Sequence, residues 1–162
     1  MYTIIGLGNP GEEYAETRHN TGKMAIEALE KKDVKIKFIK QDTFMNKSGS
    51  AVSKVIKSKK AAEKLIVIYD DLDLPLGTMK ISFNRGSGGH KGLESIIRAV
   101  KTKEFIRIRI GIGKKSDIEK HILGKFTPKE RDELKKVFKN VIGAVETITE
   151  HGLERAMTEF NS

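Results

Sequence analysis

The stretch KLIVIYDD, residues 64–71, decides the fold of this chain, because five apolar residues in a row are followed by two aspartates. A short, continuous apolar run is typical of a strand that lies inside a parallel sheet and is buried on both faces. We therefore predict that residues 64–71 form a central strand, and we place the other segments around it.

The segments on either side of this run alternate between strand and helix patterns. They predict strands at 2–7, 34–40, 78–83 and 105–113, and helices from Thr21 onward and over 48–58, 93–102, 127–152 and 153–160. Thr127 and Glu130 fit a capping box, and Pro128 fits the first helical position between them. The alternation predicts the α/β class: a mixed, twisted, mostly parallel sheet with helices on both faces, in a single domain spanning 1–162.

Composition restricts the chemistry. The chain of 162 residues has no cysteine, which excludes disulfides, thiolate metal sites and a thiol nucleophile. The net charge of +9 favours a polyanionic partner. The alternative explanation of the charge is a lysine-rich surface that contacts only solvent. No apolar run is long enough for a membrane span, and the N-terminus lacks the pattern of a signal peptide, so we expect a cytoplasmic protein with no membrane association.

The glycines Gly6, Gly8 and Gly11 spell G-x-G-x-x-G after the first predicted strand. This spacing alone suggests a dinucleotide site. However, a polar segment follows the third glycine, and the acidic residue expected about twenty positions later is missing. We therefore reject a nucleotide cofactor.

Acidic residues and one histidine follow the strands whose carboxyl ends should form a site. Asp70, Asp71 and Asp73 could hold Mg²⁺, could serve as turn residues, or could supply one carboxylate that accepts the N–H of a histidine. His19 could be a general base, an RNA contact or a surface residue. Paired with Asp70, it could take a proton from water in a hydrolysis, with nearby asparagines as donors to the carbonyl oxygen.

The glycine-rich segment 84–92 precedes a predicted helix and carries Arg85 and Lys91. Backbone N–H groups, a basic pair and a helix N-terminus suit a phosphate, although a mobile loop tip is an equal alternative. We expect His90 and His121 to be structural or exposed.

Five blocks of the sequence, in order, resemble the bacterial-type peptidyl-tRNA hydrolase family. The blocks are GLGNPGEEYAETRHNTG (6–22), TFMNKSG (43–49), YDDLDLPLG (69–77), GSGGHKGLESI (86–96) and FIRIRIGIG (105–113). The similarity runs in order from residue 2 to the final helices and so extends over nearly the whole chain.

The resemblance implies a monomeric three-layer α/β/α sandwich that cleaves the ester between a peptide and the 3′ end of tRNA, without metal or cofactor. By motif, His19 would be the general base, Asp70 its stabilising partner, and Asn9 the residue that separates blocked from unblocked aminoacyl-tRNA. The substrate contacts would be Tyr14, Phe44, Met45 and Asn46. The positive charge of the chain leads us to add Arg85 and Lys91 as contacts to the tRNA backbone.

Two departures from the family pattern stand out. Lys91 occupies the position after His90 where the family usually has asparagine, so its local role is open. The stretch between the first helix and Gln41 is shorter than usual, which predicts that a pair of edge strands is trimmed or lost. The rival interpretations are a non-catalytic RNA-binding relative on the same fold and a Mg²⁺-dependent hydrolase that uses the three aspartates.

Overall fold

The computed structural model describes residues 1–161, and its centre is a five-stranded sheet. The strands are β1 (Thr3–Gly6), β2 (Lys37–Phe38), β3 (Leu65–Asp71), β4 (Met79–Phe83) and β5 (Ile106–Gly111). They lie in the order β2-β1-β3-β5-β4, with β4 antiparallel to β5 and the other pairs parallel. The predicted α/β class and mixed sheet are therefore confirmed, and the apolar run forms the middle strand.

Seven α-helices pack around the sheet. They are α1 (Thr21–Glu30), α2 (Ser48–Ser53), α3 (Lys59–Ala62), α4 (Lys91–Val100), α5 (Ile118–Ile122), α6 (Pro128–His151) and α7 (Leu153–Phe160). The capping box at the start of α6 is present, with Thr127 and Glu130 each bonding the other's backbone N–H. The helix predicted over 48–58 ends earlier, at Ser53, and neither α3 nor α5 was predicted.

The side chains of the strands alternate between two apolar cores, one on each face of the sheet. On one face, residues such as Ile4, Ile66 and Ile108 pack with the apolar sides of α1, α6 and α7. On the other face, residues such as Val67 and Tyr69 pack with α2 and α4. This arrangement is a three-layer α/β/α sandwich, and none of the helices within residues 1–161 is long and apolar enough to cross a membrane.

Close contact between α1 and the strands brings His19 to the edge of the sheet. A Cβ at Gly22 would overlap the carbonyl oxygen of Ile68, and a Cβ at Gly6 would overlap that of Gly22. Glycine at these two positions lets the helix start directly against the backbone of β1 and β3. The 3₁₀ turn Arg18–Asn20, just before α1, is thereby held at the carboxyl ends of both strands.

One edge strand of the sheet is very short, and the other is partly covered by a side chain. Between α1 and the 3₁₀ turn Met45–Lys47, the two-residue strand β2 is the single regular element. At the other edge, the side-chain amide of Asn161 accepts from the N–H of Ile81 and donates to its carbonyl, both at 2.8 Å. The shortened middle segment predicted from the sequence therefore corresponds to a very short edge strand.

Candidate active site

A cavity of about 760 Å³ opens beyond the carboxyl ends of β1 and β3. Eight of the nine site residues predicted from the sequence line it: Asn9, His19, Phe44, Met45, Asn46, Asp70, Arg85 and Lys91. The ninth, Tyr14, does not line the cavity but packs edge-on against Phe44, with ring centroids 6.3 Å apart.

His19 and Asp70, which lie 51 positions apart in the sequence, meet at the inner end of this cavity. The Nδ1 of His19 lies 2.8 Å from the Oδ2 of Asp70. Their side chains are 11% and 2% exposed, respectively. The structure thus brings together the two residues on which the hydrolytic interpretation depends.

A second histidine shares the same carboxylate. The Nε2 of His90 lies 2.9 Å from the Oδ1 of Asp70, and the His90 side chain is 8% exposed. This contact was missed in the sequence, where His90 was expected to be structural or exposed. The sequence shows only that His90 stands just before a predicted helix, and its contact with Asp70 depends on the path of the loop before it.

The Asp70 carboxylate stays ionised in spite of its burial. Burial alone would raise its pKa, but the adjacent imidazoles of His90 and His19, together with their hydrogen bonds, outweigh that effect and hold the pKa well below its usual value. Asp70 therefore acts as an acceptor toward both rings. Since Nδ1 of His19 donates to it, the other ring nitrogen, Nε2, carries a lone pair and can accept a proton.

Two asparagines fix the loop that follows β1. Asn20 accepts the backbone N–H of Asn9 at 2.8 Å and donates to its carbonyl at 2.9 Å. The side-chain Oδ1 of Asn9 accepts the N–H of Met45 at 2.7 Å. Because that oxygen is used, the amide NH₂ of Asn9 remains as the donor available to the cavity.

A buried polar network holds the Met45 turn in place. Gln41 accepts the N–H of Gly8 at 2.9 Å and donates to the hydroxyl of Ser48, which in turn donates to the carbonyl of Met45 at 2.6 Å. The network links the loop after β1 to the turn that carries Met45 and Asn46. Gln41 has no recognisable motif in the sequence, so this role could not be predicted.

The three aspartates considered for Mg²⁺ do not converge. Asp70 bonds the two histidines, Asp71 forms an ion pair with Arg109 at 2.8 Å, and the exposed Asp73 lies 3.7 Å from Lys114. Within residues 1–161, the group whose donor atoms lie close enough for a metal ion is His19, Asp70 and His90. The Nδ1 of His90, however, accepts the N–H of Leu93 at 3.3 Å, so in the neutral ring the proton sits on Nε2, facing Asp70. That protonation favours a hydrogen-bonded cluster over a metal centre.

Arg18 connects the site to the outer rim of the cavity. Its guanidinium donates to the carbonyl of His121 and to Glu130, both at 3.2 Å, and lies 5.5 Å from the ring centre of Phe126. The imidazole Nε2 of His121 also lies 3.0 Å from the carbonyl of Ile112, so His121 is structural, as expected. These contacts fix α5 beside the cavity.

The lining of the cavity includes both exposed apolar residues and basic residues. Phe44, Ile118 and Leu123 are all more than 40% exposed and line the cavity together. The glycine-rich segment with Arg85 and Lys91 lines the same cavity. The cleft therefore offers both apolar and cationic side chains to a ligand.

Comparison with known proteins finds one family over nearly the whole chain. The profile of the Peptidyl-tRNA hydrolase family matches residues 3–37 and 29–162. The peptidyl-tRNA hydrolase of Thermodesulfovibrio yellowstonii is 41% identical to this chain over 187 aligned positions, which cover 99% of each chain. The peptidyl-tRNA hydrolase of Thermoanaerobacter sp. is 43% identical, and the alignment covers 99% of this chain and 100% of the relative. The crystal structure of the peptidyl-tRNA hydrolase from Acinetobacter baumannii superposes with a TM-score of 0.88 at 28% identity, covering 100% of this chain and 95% of the other.

Fold, site and comparisons together define a carboxylic ester hydrolase. The chain belongs to the peptidyl-tRNA hydrolase family. The alignment of 187 positions is longer than the chain of 162 residues, in agreement with a shortened segment in this member.

Proposed function

We propose that this chain hydrolyses the ester between a peptide and the 3′ end of tRNA, with His19 as the general base and Asp70 as its partner. The observation that carries the proposal is the 2.8 Å contact between His19 Nδ1 and Asp70 Oδ2 at the inner end of an open cleft. It leaves Nε2 of His19 as a base on the cavity wall.

In the reaction, Nε2 of His19 takes a proton from water while the water oxygen attacks the ester carbonyl. Asp70 stabilises the imidazolium that forms, because the carboxylate is ionised and desolvated. The amide of Asn9 donates to the carbonyl oxygen as it gains charge. The tetrahedral intermediate then collapses, and the 3′-oxygen of tRNA leaves with the proton held by His19.

The remaining predicted residues receive substrate roles by position. Phe44, supported by Tyr14, would form the apolar side of the cleft together with Met45, and Asn46 would contact the peptide backbone or the tRNA end. Asn9 would also discriminate blocked from unblocked aminoacyl groups. Arg85 and Lys91 would contact tRNA phosphates, a role supported by the net charge of +9.

The proposal also includes the location, oligomeric state and domain organisation of the enzyme. The chain would act in the cytoplasm as a monomer and as a single domain spanning 1–162, with peptidyl-tRNA as its partner. The single domain is supported by two cores packed on one sheet.

The test is release of an N-blocked amino acid from tRNA by the purified protein, compared with His19→Ala. His151→Ala is the matched control, since His151 is an exposed histidine at the end of α6. We expect His19→Ala to lose turnover while it retains tRNA binding, and His151→Ala to match wild type. A wild-type protein that binds tRNA without releasing the amino acid would instead identify a non-catalytic RNA-binding protein.

A further inference from the structure

We propose that His90 is a positioning residue for this hydrolysis, which holds the Asp70 carboxylate in the orientation that pairs it with His19. The inference rests on the proposed function, because the carboxylate matters only through the base that it orients. Three features of the structure carry it: the place of His90 at a helix start, the state of its two ring nitrogens, and the sharing of Asp70.

His90 is the N-cap residue of α4. Its backbone is extended, with φ −72° and ψ 116°, and its Nδ1 accepts the N–H of Leu93 at 3.3 Å. Serine, threonine, aspartate and asparagine are the usual residues at this position, because their side-chain oxygens satisfy the free N–H groups of the first turn. Histidine can replace them through one ring nitrogen, and it then has a second ring nitrogen to use elsewhere.

The helix cap determines where the proton of His90 sits. A backbone N–H can only donate, so the Nδ1 that accepts it must carry a lone pair. In the neutral ring the proton is then on Nε2, which lies 2.9 Å from Oδ1 of Asp70. Capping α4 and donating to Asp70 are therefore two consequences of one protonation state.

Sharing the carboxylate fixes its rotation. His19 donates to Oδ2 of Asp70 at 2.8 Å, and His90 donates to Oδ1 at 2.9 Å. Both carboxylate oxygens are therefore hydrogen-bonded, and the group is held at two points. With His19 alone, the carboxylate could turn about its last side-chain bond and weaken the alignment with Nδ1. The α4 backbone, through His90, thus anchors the partner of the base.

The groups around His90 come from several elements of the fold. The ring of His19, from the turn before α1, lies 5.0 Å from it, and the ring of Tyr69, from β3, lies 5.1 Å from it edge-on. Burial raises the pKa of Tyr69 to about 12, so it is uncharged. The cations Arg85 and Lys91 share the cavity, and Asp70 is the anion in contact. A second proton on His90 would break the helix cap and place a cation beside the imidazolium that His19 becomes.

Two variants separate the two bonds of His90. In His90→Asn, the side-chain oxygen can cap α4, but the side chain is too short to donate to Asp70. In His90→Gln, the terminal amide nitrogen reaches the place of Nε2 and can donate to Asp70, but the helix loses its cap. Ser58→Ala is the matched control for cap loss, because Ser58 caps the short helix α3 away from the cavity.

Release of N-blocked amino acid is measured for each variant as kcat, KM and a pH profile, alongside thermal unfolding. We expect His90→Asn to keep its stability and KM but to lose at least about tenfold in kcat, since small misplacements of a catalytic group are costly. The acid limb of its kcat/KM profile should move to higher pH, because the whole carboxylate charge then falls on His19. His90→Gln should recover most of the kcat while unfolding at a lower temperature.

A purely structural role for His90 predicts the reverse order. The less stable His90→Gln would then be the less active variant, and neither pH profile would move. Wild-type kcat and an unchanged profile in His90→Asn would overturn the proposal.

Long-range ¹H–¹⁵N spectra of the wild-type histidines test the inference independently of turnover. We expect His90 with a protonated Nε2 and an unprotonated Nδ1 at neutral pH. The opposite tautomer would overturn the role of His90 even in an active enzyme. Absence of turnover in the wild type, with the expected tautomer present, would instead contradict the proposed function.

Discussion

Replacing Asp70 by asparagine tests the arrangement around the base most directly. The substitution preserves shape but removes the charge and leaves one oxygen where there were two acceptors. Because His90 donates to this group, the carbonyl oxygen of the new amide should turn toward His90. Its NH₂ would then face Nδ1 of His19 and force the proton of that ring onto Nε2, where it blocks the base.

The expected magnitude follows from the contact. Asp70 and the imidazolium of His19 are hydrogen-bonded at 2.8 Å, which puts their charge centres about 4 Å apart. At an effective dielectric constant of about 20, such a pair is worth about 4 kcal/mol. Since about 1.36 kcal/mol corresponds to a tenfold change in rate, we expect kcat to fall about 10³-fold. The altered proton position adds to this loss.

The assay is release of an N-blocked amino acid from tRNA under single-turnover conditions, with Asp33→Asn as the control, because Asp33 is exposed and lies outside the cavity. In the His90→Asn background, the amide at position 70 is free to turn its oxygen toward His19. Asp70→Asn should therefore cost less there than in the wild type. A rate for Asp70→Asn within tenfold of wild type would refute the reasoning, since it would mean that neither the charge nor the proton position matters.

Four other outcomes are expected. Lys91→Asn should be tolerated or should increase kcat if Lys91 merely occupies the usual asparagine position, and a severe loss in steady-state assays would show that the lysine has its own role. The Kd for tRNA should rise steeply with salt concentration, on the order of one decade per decade of salt for each phosphate contact in a binding titration. The pKa of Asp70 is lowered in the folded state, so its contribution to stability is complete above its unfolded pKa of about 4 and is lost as the pH falls below that value. In urea unfolding between about pH 5 and 2, the free energy of unfolding should therefore fall less in Asp70→Asn than in wild type. Gly22→Ala should lower the free energy of unfolding by about 1–3 kcal/mol, because the new methyl group would overlap the backbone at Ile68.

The sheet and the main helices could be predicted from the sequence because their signals are local. The apolar run at 65–69 and the alternation at 105–113 each reflect burial in one strand, and the capping box at Thr127 is complete within four residues. The helix α5 could not be predicted in this way. It is only five residues long and is fixed by distant contacts, such as the bond from Arg18 to the carbonyl of His121.

The site was predictable only where motif and topology agreed. The carboxyl ends of β1 and β3 meet because the strands pair in parallel, which places Asp70 near the segment after β1. The contact of His90 with Asp70 depends on how α4 begins after an irregular loop with two glycines at positive φ, and no spacing in the sequence encodes that path. Gln41 was missed for a similar reason, since its partners lie in the loop after β1 and at the start of α2.

The edges of the sheet bear on how this basic protein behaves at high concentration. An incoming strand at β4 would find the N–H and carbonyl of Ile81 already engaged by Asn161. At the opposite edge, β2 offers two residues for pairing, and Lys35 and Lys40 flank it. Short, charged or covered edges deter strand-by-strand growth between molecules. Both borders of the sheet thus leave few backbone groups for pairing with a strand of another molecule.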